Sequence, residues 1–331
     1  MEIATATLDH NVEKIELLSV DLLDQQRPLV EALKSLARSL RLEFGWHYLL
    51  DLTWIISQLG PVQGKQLIDA GAGTGILQWY LAQQGAQVIS IDRLSRALLP
   101  LRFRKRFNVQ GLRTGAEQDL APSWQVFKSN FSSKAGIRAI VSEIATATLA
   151  QAKDILGMVE TRRSPGQVLV YNQDLKNLAD IQDSSLDAVV AVSALEHNTQ
   201  ESLQQVVVEL MRVLKPGGKL IATLCAAPEQ DRWHAASSGW CYTDASLRRL
   251  FYLPPETPSN YNHYNELFLS LVNCAELRDN LAAFYFRSGD NGMPWGKWDP
   301  QYIPAGVCKI RDWALPNSGH GNLGEEHGNP S

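Results

Sequence analysis

Residues 65–93 of this 331-residue chain, KQLIDAGAGTGILQWYLAQQGAQVISIDR, constrain its fold more than any other stretch. Lys65–Asp69 reads as a short buried strand, followed closely by three glycines at alternate positions, Gly71, Gly73 and Gly75. Glycine, lacking a Cβ, lets a turn bend tightly and bring its backbone close to a ligand. Ile76–Gln84 then carries apolar residues at helical spacing (Ile76, Leu77, Tyr80, Leu81), and Gly85 stops it. Val88–Ile91 is a second strand, closed by Asp92. Strand, glycine turn, helix, strand and carboxylate make half of a nucleotide-binding α/β unit.

The spacing of the glycines narrows the ligand. A dinucleotide fingerprint, G-x-G-x-x-G/A, needs a small third residue where Ile76 stands. What the chain has instead is D-x-G-x-G-x-G, from Asp69 to Gly75. This pattern resembles motif I of the class I S-adenosylmethionine (SAM) methyltransferases. The resemblance implies that the turn of Gly71, Gly73 and Gly75 packs against the methionyl part of SAM. It implies that Asp69 helps hold the amino end and that Asp92 takes both ribose hydroxyls, with Arg93 beside it in the cofactor site.

The pattern breaks after Asp92 and resumes later. A compact αβ unit would reach its third strand about 20–25 residues on. Here that strand, Val168–Tyr171, comes much later, which makes 108–166 an insertion. Its second half has apolar residues near one face (Ile137, Ile140, Val141, Ile144, Ile155, Val159), predicting a helix over roughly 135–160. Such a helix could cover the adenosine side or form a homodimer contact. From Gln167 onward, QVLVYNQDLKNL supplies strand three and then Asp174-Leu175. By the resemblance, Asp174 accepts from the adenine amino group, as an acceptor-only carboxylate can, and Leu175 offers its backbone N–H to the ring. Ser185–Val192 is a nearly all-apolar strand four, as suits a central parallel strand. Ser193, just past it, joins the implied cofactor contacts. Helix 200–214, the turn Lys215-Pro216-Gly217-Gly218 and strand 219–224 follow; VLKPGGKLIATL resembles the same turn in methyltransferases of ubiquinone and menaquinone biosynthesis.

Methyl transfer to a hydroxyl needs a positioned acceptor and a group that takes its proton. Histidine titrates near neutrality, so His197, directly after strand four, and His234, in the aromatic-rich stretch 231–242, are the candidate bases. Each also has a plainer reading, structural for His197 and a surface loop for His234. There is no G-x-S-x-G, no phosphate-binding G-x-x-x-x-G-K-[ST] and no metal-ligand spacing.

Together these readings predict an α/β class: a Rossmann-like methyltransferase sheet of order 3-2-1-4-5-7-6 with strand seven antiparallel. Residues 282–286 are expected as strand six and 306–310 as strand seven. Residues 1–60 are expected as a helical lid, with helices at 28–42 and 44–59, ahead of a methyltransferase domain over 61–315; 316–331 is expected as a flexible tail. Trp46, His47 and Tyr48 could face SAM or substrate, although aromatic core packing is the commoner use of such residues.

The stretch 93–107 holds Arg93, Arg96, Arg102, Arg104, Lys105 and Arg106 with no acid, either a solvated helix face or an anion-binding patch. A net charge of −4 disfavours a nucleic-acid surface over the whole molecule. Four scattered cysteines without a C-x-x-C suit a reducing compartment. No leader-like start and no long apolar run is visible, so a cytoplasmic protein without a membrane span is expected. The resemblance implies SAM as cofactor and a small molecule as acceptor, with oxygen the favoured atom. An RNA or other polyanion methyltransferase, a non-catalytic SAM-binding scaffold and a NAD-dependent oxidoreductase are the alternatives. The heptapeptide EIATATL occurs at both 2–8 and 143–149, and nothing physical in either segment accounts for it.

Overall fold

In the computed structural model of the chain, residues 12–126, 164–287, 289 and 292–312 are described. Ten strands make one sheet: β1 (Lys14–Leu17), β2 (Gln66–Ala70), β3 (Gln87–Asp92), β4 (Val109–Gly111), β5 (Gln167–Asn172), β6 (Leu186–Val192), β7 (Leu214–Ala226), β8 (Arg232–His234), β9 (Gly239–Tyr242) and β10 (Pro304–Ile310). The main path runs β1-β10-β7-β6-β2-β3-β5-β4. From β5 across to β7 neighbours are parallel, and β10 runs antiparallel to β7. The order reverses between β2 and β6. A crevice opens at such a reversal, beyond the carboxyl ends of the strands, and it lies between the glycine turn after β2 and Ser193 after β6.

The lane expected for 282–286 is filled from the other end of the chain. β1 pairs antiparallel with β10 and covers what would be an open edge. Its Ile15 and Leu17 are buried, while Lys14 and Glu16 point outward and pair with each other at 2.8 Å. With that lane taken, Ala283–Phe286 forms a 3-10 turn instead of a strand. The turn delivers buried Tyr285 to the Trp46 backbone N–H, which donates to its hydroxyl at 2.9 Å.

Nine helices flank the sheet among the described residues: α1 (Asp21–Gln25), α2 (Arg27–Leu40), α3 (Tyr48–Leu59), α4 (Leu77–Gln83), α5 (Leu101–Arg106), α6 (Gln200–Val213), α7 (Asp244–Leu250), α8 (Tyr264–Val272) and α9 (Ala275–Asp279). α2 is one-sided, burying Val30, Leu33, Leu36, Ala37 and Leu40. α3 is buried nearly all round, and its Trp54 ring packs against Gly306 of β10. A Cβ on Gly306 would fall 2.5 Å from that ring, so only glycine lets the indole reach the strand. The indole N–H then donates to Glu16 at 3.0 Å, tying α3 to β1. The segment expected as a lid therefore supplies an edge strand and a core helix, and it reaches the crevice through residues 42–48 and Leu52.

Three other local readings change. The Lys215–Gly218 turn is absorbed into β7 as an irregularity in its pairing with β6, held by Lys215 on Asp187 at 2.6 Å. Residues 231–242 are not an irregular loop: β8 and β9 form a hairpin that continues beside the end of β7. Two short helices, α8 and α9, follow from Tyr264. Three arginines of the basic run are engaged with neighbouring segments. Arg102 donates to the Leu40 carbonyl at 3.1 Å, Arg104 to the Leu99 and Ala97 carbonyls at 2.8 and 2.6 Å, and Arg106 to the Ser39 hydroxyl at 2.9 Å. These arginines hold α5 against its neighbours.

Within the insertion, β4 extends the sheet beyond β5, and Asp119 receives Arg113 at 2.7 Å and the Asn172 backbone N–H at 2.8 Å. The helix expected over 135–160, the homodimer contact through it, both copies of EIATATL and the 316–331 tail lie outside the described residues. Among the described residues no helix is long and apolar enough to cross a membrane, and all four cysteines are free thiols.

Candidate active site

Two adjoining chambers occupy the crevice. The larger, about 550 Å³, is walled by Asp69 and the glycine turn, by Ser193, Ala194 and His197, and by Phe44, Trp46, His47, Tyr48, Phe284, Tyr285 and Tyr302. The smaller, about 200 Å³, is walled by Gly71, Asp92, Arg93, Leu94, Asp174, Leu175, Ala194, His197 and Asn198. They share Gly71, Ala194 and His197. Of the residues expected to hold cofactor, Asp69, Gly71, Gly73, Gly75 and Ser193 line the first chamber, and Asp92, Arg93, Asp174 and Leu175 line the second.

The turn is built for close approach. Gly71 has φ of +70°, and a Cβ on it would meet the Ala194 side chain at 2.4 Å. The Gly73 N–H donates to Asp92 Oδ2 at 2.8 Å and the Leu94 N–H to Oδ1 at 2.8 Å, which fixes the carboxylate at the end of β3. A carboxylate has about four lone-pair directions, so acceptor capacity remains for a pair of hydroxyls. Asp174 is exposed at the rim of the smaller chamber, and its Oδ1 accepts the Lys176 N–H at 2.9 Å. Ser193 sits at φ of +44°, with its N–H on the Thr223 carbonyl at 3.1 Å and its hydroxyl donating to Glu196.

A buried arginine supports this turn, and the sequence hid it inside a basic run. Arg96 donates to the Gly73 carbonyl at 3.2 Å, the Ser90 carbonyl at 2.6 Å and the Tyr171 carbonyl at 3.1 Å, and also to the Ser90 hydroxyl. The Ser90 hydroxyl donates to Gln78 Oε1 at 2.6 Å, and Gln78 donates to the Gly75 carbonyl at 3.0 Å. Burial pushes the Arg96 pKa down, while Asp92, Asp69 and Asp119 oppose that shift. Burial likewise pushes the Asp69 carboxyl up to about 7, against the pull of Arg96.

The two histidines take different positions. His197 is exposed, lines both chambers, and has Nδ1 2.9 Å from the Ser238 carbonyl. A carbonyl only accepts, so Nδ1 carries the proton and Nε2 keeps its lone pair. His234 stands behind the wall: its ring meets Tyr302 edge-on at 5.2 Å, its Nδ1 contacts the Ser237 hydroxyl at 2.7 Å, and burial lowers its pKa. Among the described residues it does not line either chamber.

A second polar chain was missed. His47 has Nδ1 2.7 Å from Asp51 Oδ2 and Nε2 3.1 Å from the Tyr302 hydroxyl. The i,i+4 spacing of His47 and Asp51 on a helix was available in the sequence; the partner 255 positions away was not. Among the described residues no group of three or more His, Cys, Asp or Glu could hold a metal ion.

Fold and site together are similar to those of the class I SAM-dependent methyltransferases. Residues 126–222 match the family model described as a methyltransferase domain. The ubiquinone biosynthesis O-methyltransferase of Leptothrix cholodnii is 45% identical over 49 residues, which is 15% of this chain and 21% of that protein. The enzyme of the same description from Albidiferax ferrireducens is 51% identical over 49 residues, 15% and 19% respectively. The match thus spans about a fifth of the length of these curated relatives. Among solved structures, the Burkholderia thailandensis 1,6-didemethyltoxoflavin-N1-methyltransferase with bound S-adenosylhomocysteine aligns over 88% of this chain and 86% of its own, at 13% identity and a TM-score of 0.40. Nothing about substrate is drawn from that likeness.

The residues fit SAM: buried Asp69 would face its amino end, the glycine turn its sulfonium and the fixed Asp92 carboxylate its ribose. The raised Asp69 pKa carries a prediction. Below pH 7 this carboxyl is largely protonated and cannot pair with a cationic amino group, so SAM affinity should rise between pH 6 and 8, by up to about tenfold per pH unit below the pKa. The free fold should move the other way. A native carboxyl that keeps its proton after the unfolded chain has lost it loses stability as pH rises from about 4 to 7. Titrations at pH 6, 7 and 8 check the first part, and Asp69→Asn should flatten the profile.

Proposed function

We propose that the protein transfers the SAM methyl group to a hydroxyl oxygen of a small neutral molecule seated in the larger chamber. The observation that carries this is the shared wall of the two chambers, where the methyl-bearing centre and the acceptor would meet beside Gly71, Ala194 and His197. Bound SAM supplies a methyl on an already positive leaving group; the chain's residues orient the acceptor, exclude water and hold a proton. Among the described residues, the larger chamber's wall has two carboxylates, Glu43 and Asp69, and no Lys or Arg. That charge pattern disfavours phosphorylated or polyanionic acceptors, and the engaged arginines of the basic run speak against the RNA reading in the same way. The aromatic walls suit a flat or largely apolar acceptor body.

The test is incubation with methyl-labelled SAM and pools of neutral hydroxyl-bearing metabolites, following S-adenosylhomocysteine and labelled product. Label in an ether is the expected result. SAM binding without S-adenosylhomocysteine formation in any pool would favour the scaffold reading, and label on nitrogen or carbon would move the acceptor atom.

A further inference from the structure

We propose that the chain Tyr302–His47–Asp51, and not His197, takes the acceptor's proton; this rests on the hydroxyl-acceptor reading above. All three residues are buried, at 3%, 3% and 0% exposure, yet Tyr302 and His47 form part of the larger chamber's wall. Asp51, when ionised, only accepts, so the proton shared with it belongs to His47 Nδ1. Nε2 is then the acceptor of the Tyr302 hydroxyl proton. The tyrosine oxygen keeps its lone pairs, one of which can receive an acceptor's O–H.

Two features argue that the chain is more than packing. Asp51 Oδ1 is buried and has no hydrogen-bond partner, so His47 is the group that faces this carboxylate. A buried carboxylate with so few partners is costly, and a proton arriving on His47 would strengthen its pairing with it. The Tyr302 ring is also clamped, with Trp46 at 5.1 Å, His47 at 5.5 Å and His234 at 5.2 Å, so its hydroxyl is held in one place. This gives His234 a positioning role behind the wall. His197 is exposed and lies on the side shared with the nucleoside chamber, where water competes for its free nitrogen.

The step balances. The acceptor proton moves to Tyr302 as the tyrosine proton moves to His47 Nε2. The acceptor oxygen bonds to the methyl carbon, and the carbon–sulfur bond breaks with its electron pair left on sulfur. One proton remains on His47 beside Asp51 and returns to solvent after the methyl ether leaves.

The experiment uses the full chain, SAM and a series of phenols of graded acidity as probes. A phenol with a pKa near 10 needs a proton acceptor, whereas a dinitrophenol is already ionised at neutral pH. His47→Gln is expected to lower kcat/KM for the weakly acidic phenols by about 10²–10⁴-fold and for the dinitrophenol by less than about tenfold. Asp51→Asn should show the same acidity-dependent loss, smaller in size, and both variants should bind SAM as the wild type does by calorimetry. Equal losses for all phenols would make the chain structural and overturn the proposal. So would an acidity-dependent loss in His197→Gln that His47→Gln lacks. A wild-type protein that binds SAM but methylates none of the phenols overturns the proton-relay assignment, whereas failure to bind SAM overturns the reading beneath it.

Discussion

Gly71→Ala is expected to weaken SAM binding at least about a hundredfold and to lower the melting temperature by several degrees. Two effects add at this position. A side chain at φ of +70° costs about 1–2 kcal/mol. The added methyl would also lie 2.4 Å from the Ala194 Cβ, a distance that neither atom can occupy without backbone movement. The movement has nowhere harmless to go, because Gly71 and Ala194 form the shared wall of both chambers. Pushing them apart shifts the glycine turn away from Asp92 and the Ser193 loop away from Thr223. Isothermal titration and thermal melts measure the two losses. Gly71→Ala combined with Ala194→Gly should regain part of the stability, since it removes the clash but leaves the strained φ. If the single variant binds SAM normally, the cofactor does not pass between these loops.

The second large effect is expected from Asp92→Asn. The carboxylate accepts from Gly73 and Leu94 backbone N–H groups at 2.8 Å each, and its remaining lone pairs face the smaller chamber. An amide replaces one acceptor by a donor, which must face either a backbone N–H or the ribose. It also removes the charge that makes such bonds strong. A loss of about 2–4 kcal/mol, roughly 30- to 1,000-fold in SAM affinity, follows from the charge-assisted bonds forfeited. Adenosine alone should lose a similar factor, because the contact is with the sugar. An unchanged affinity would mean that the ribose lies elsewhere.

What the sequence made legible was local. The β2–turn–α4–β3 unit is contiguous, its glycines have a backbone reason and its acids fall at strand ends, so Asp69 and Asp92 could be placed beside one crevice before any coordinates. The Thr243 cap has the same local character: its hydroxyl accepts the Ser246 N–H at 3.3 Å, within one turn. The misreadings depend on partners far away in the chain. KIEL at 14–17 is too short to announce a strand, and it becomes one only because 304–310 offers an edge. The aromatic run 282–286 has the composition of a strand, but its lane was already filled. Arg96 lay in a run of six cations that looked uniform, and only the packing of β3 against β5 buries it among carbonyls. His47 and Tyr302 meet because α3 lies across β10, which no periodicity in either segment records.

The most direct test of the central claim is calorimetric titration of the 331-residue chain with SAM, in parallel with Asp92→Asn. The account predicts one saturable site for the wild type, in the micromolar-to-millimolar range typical of enzyme substrates, and a 30-fold or greater weakening in the variant. No saturable heat with the wild type, or equal affinity in the two proteins, would contradict it.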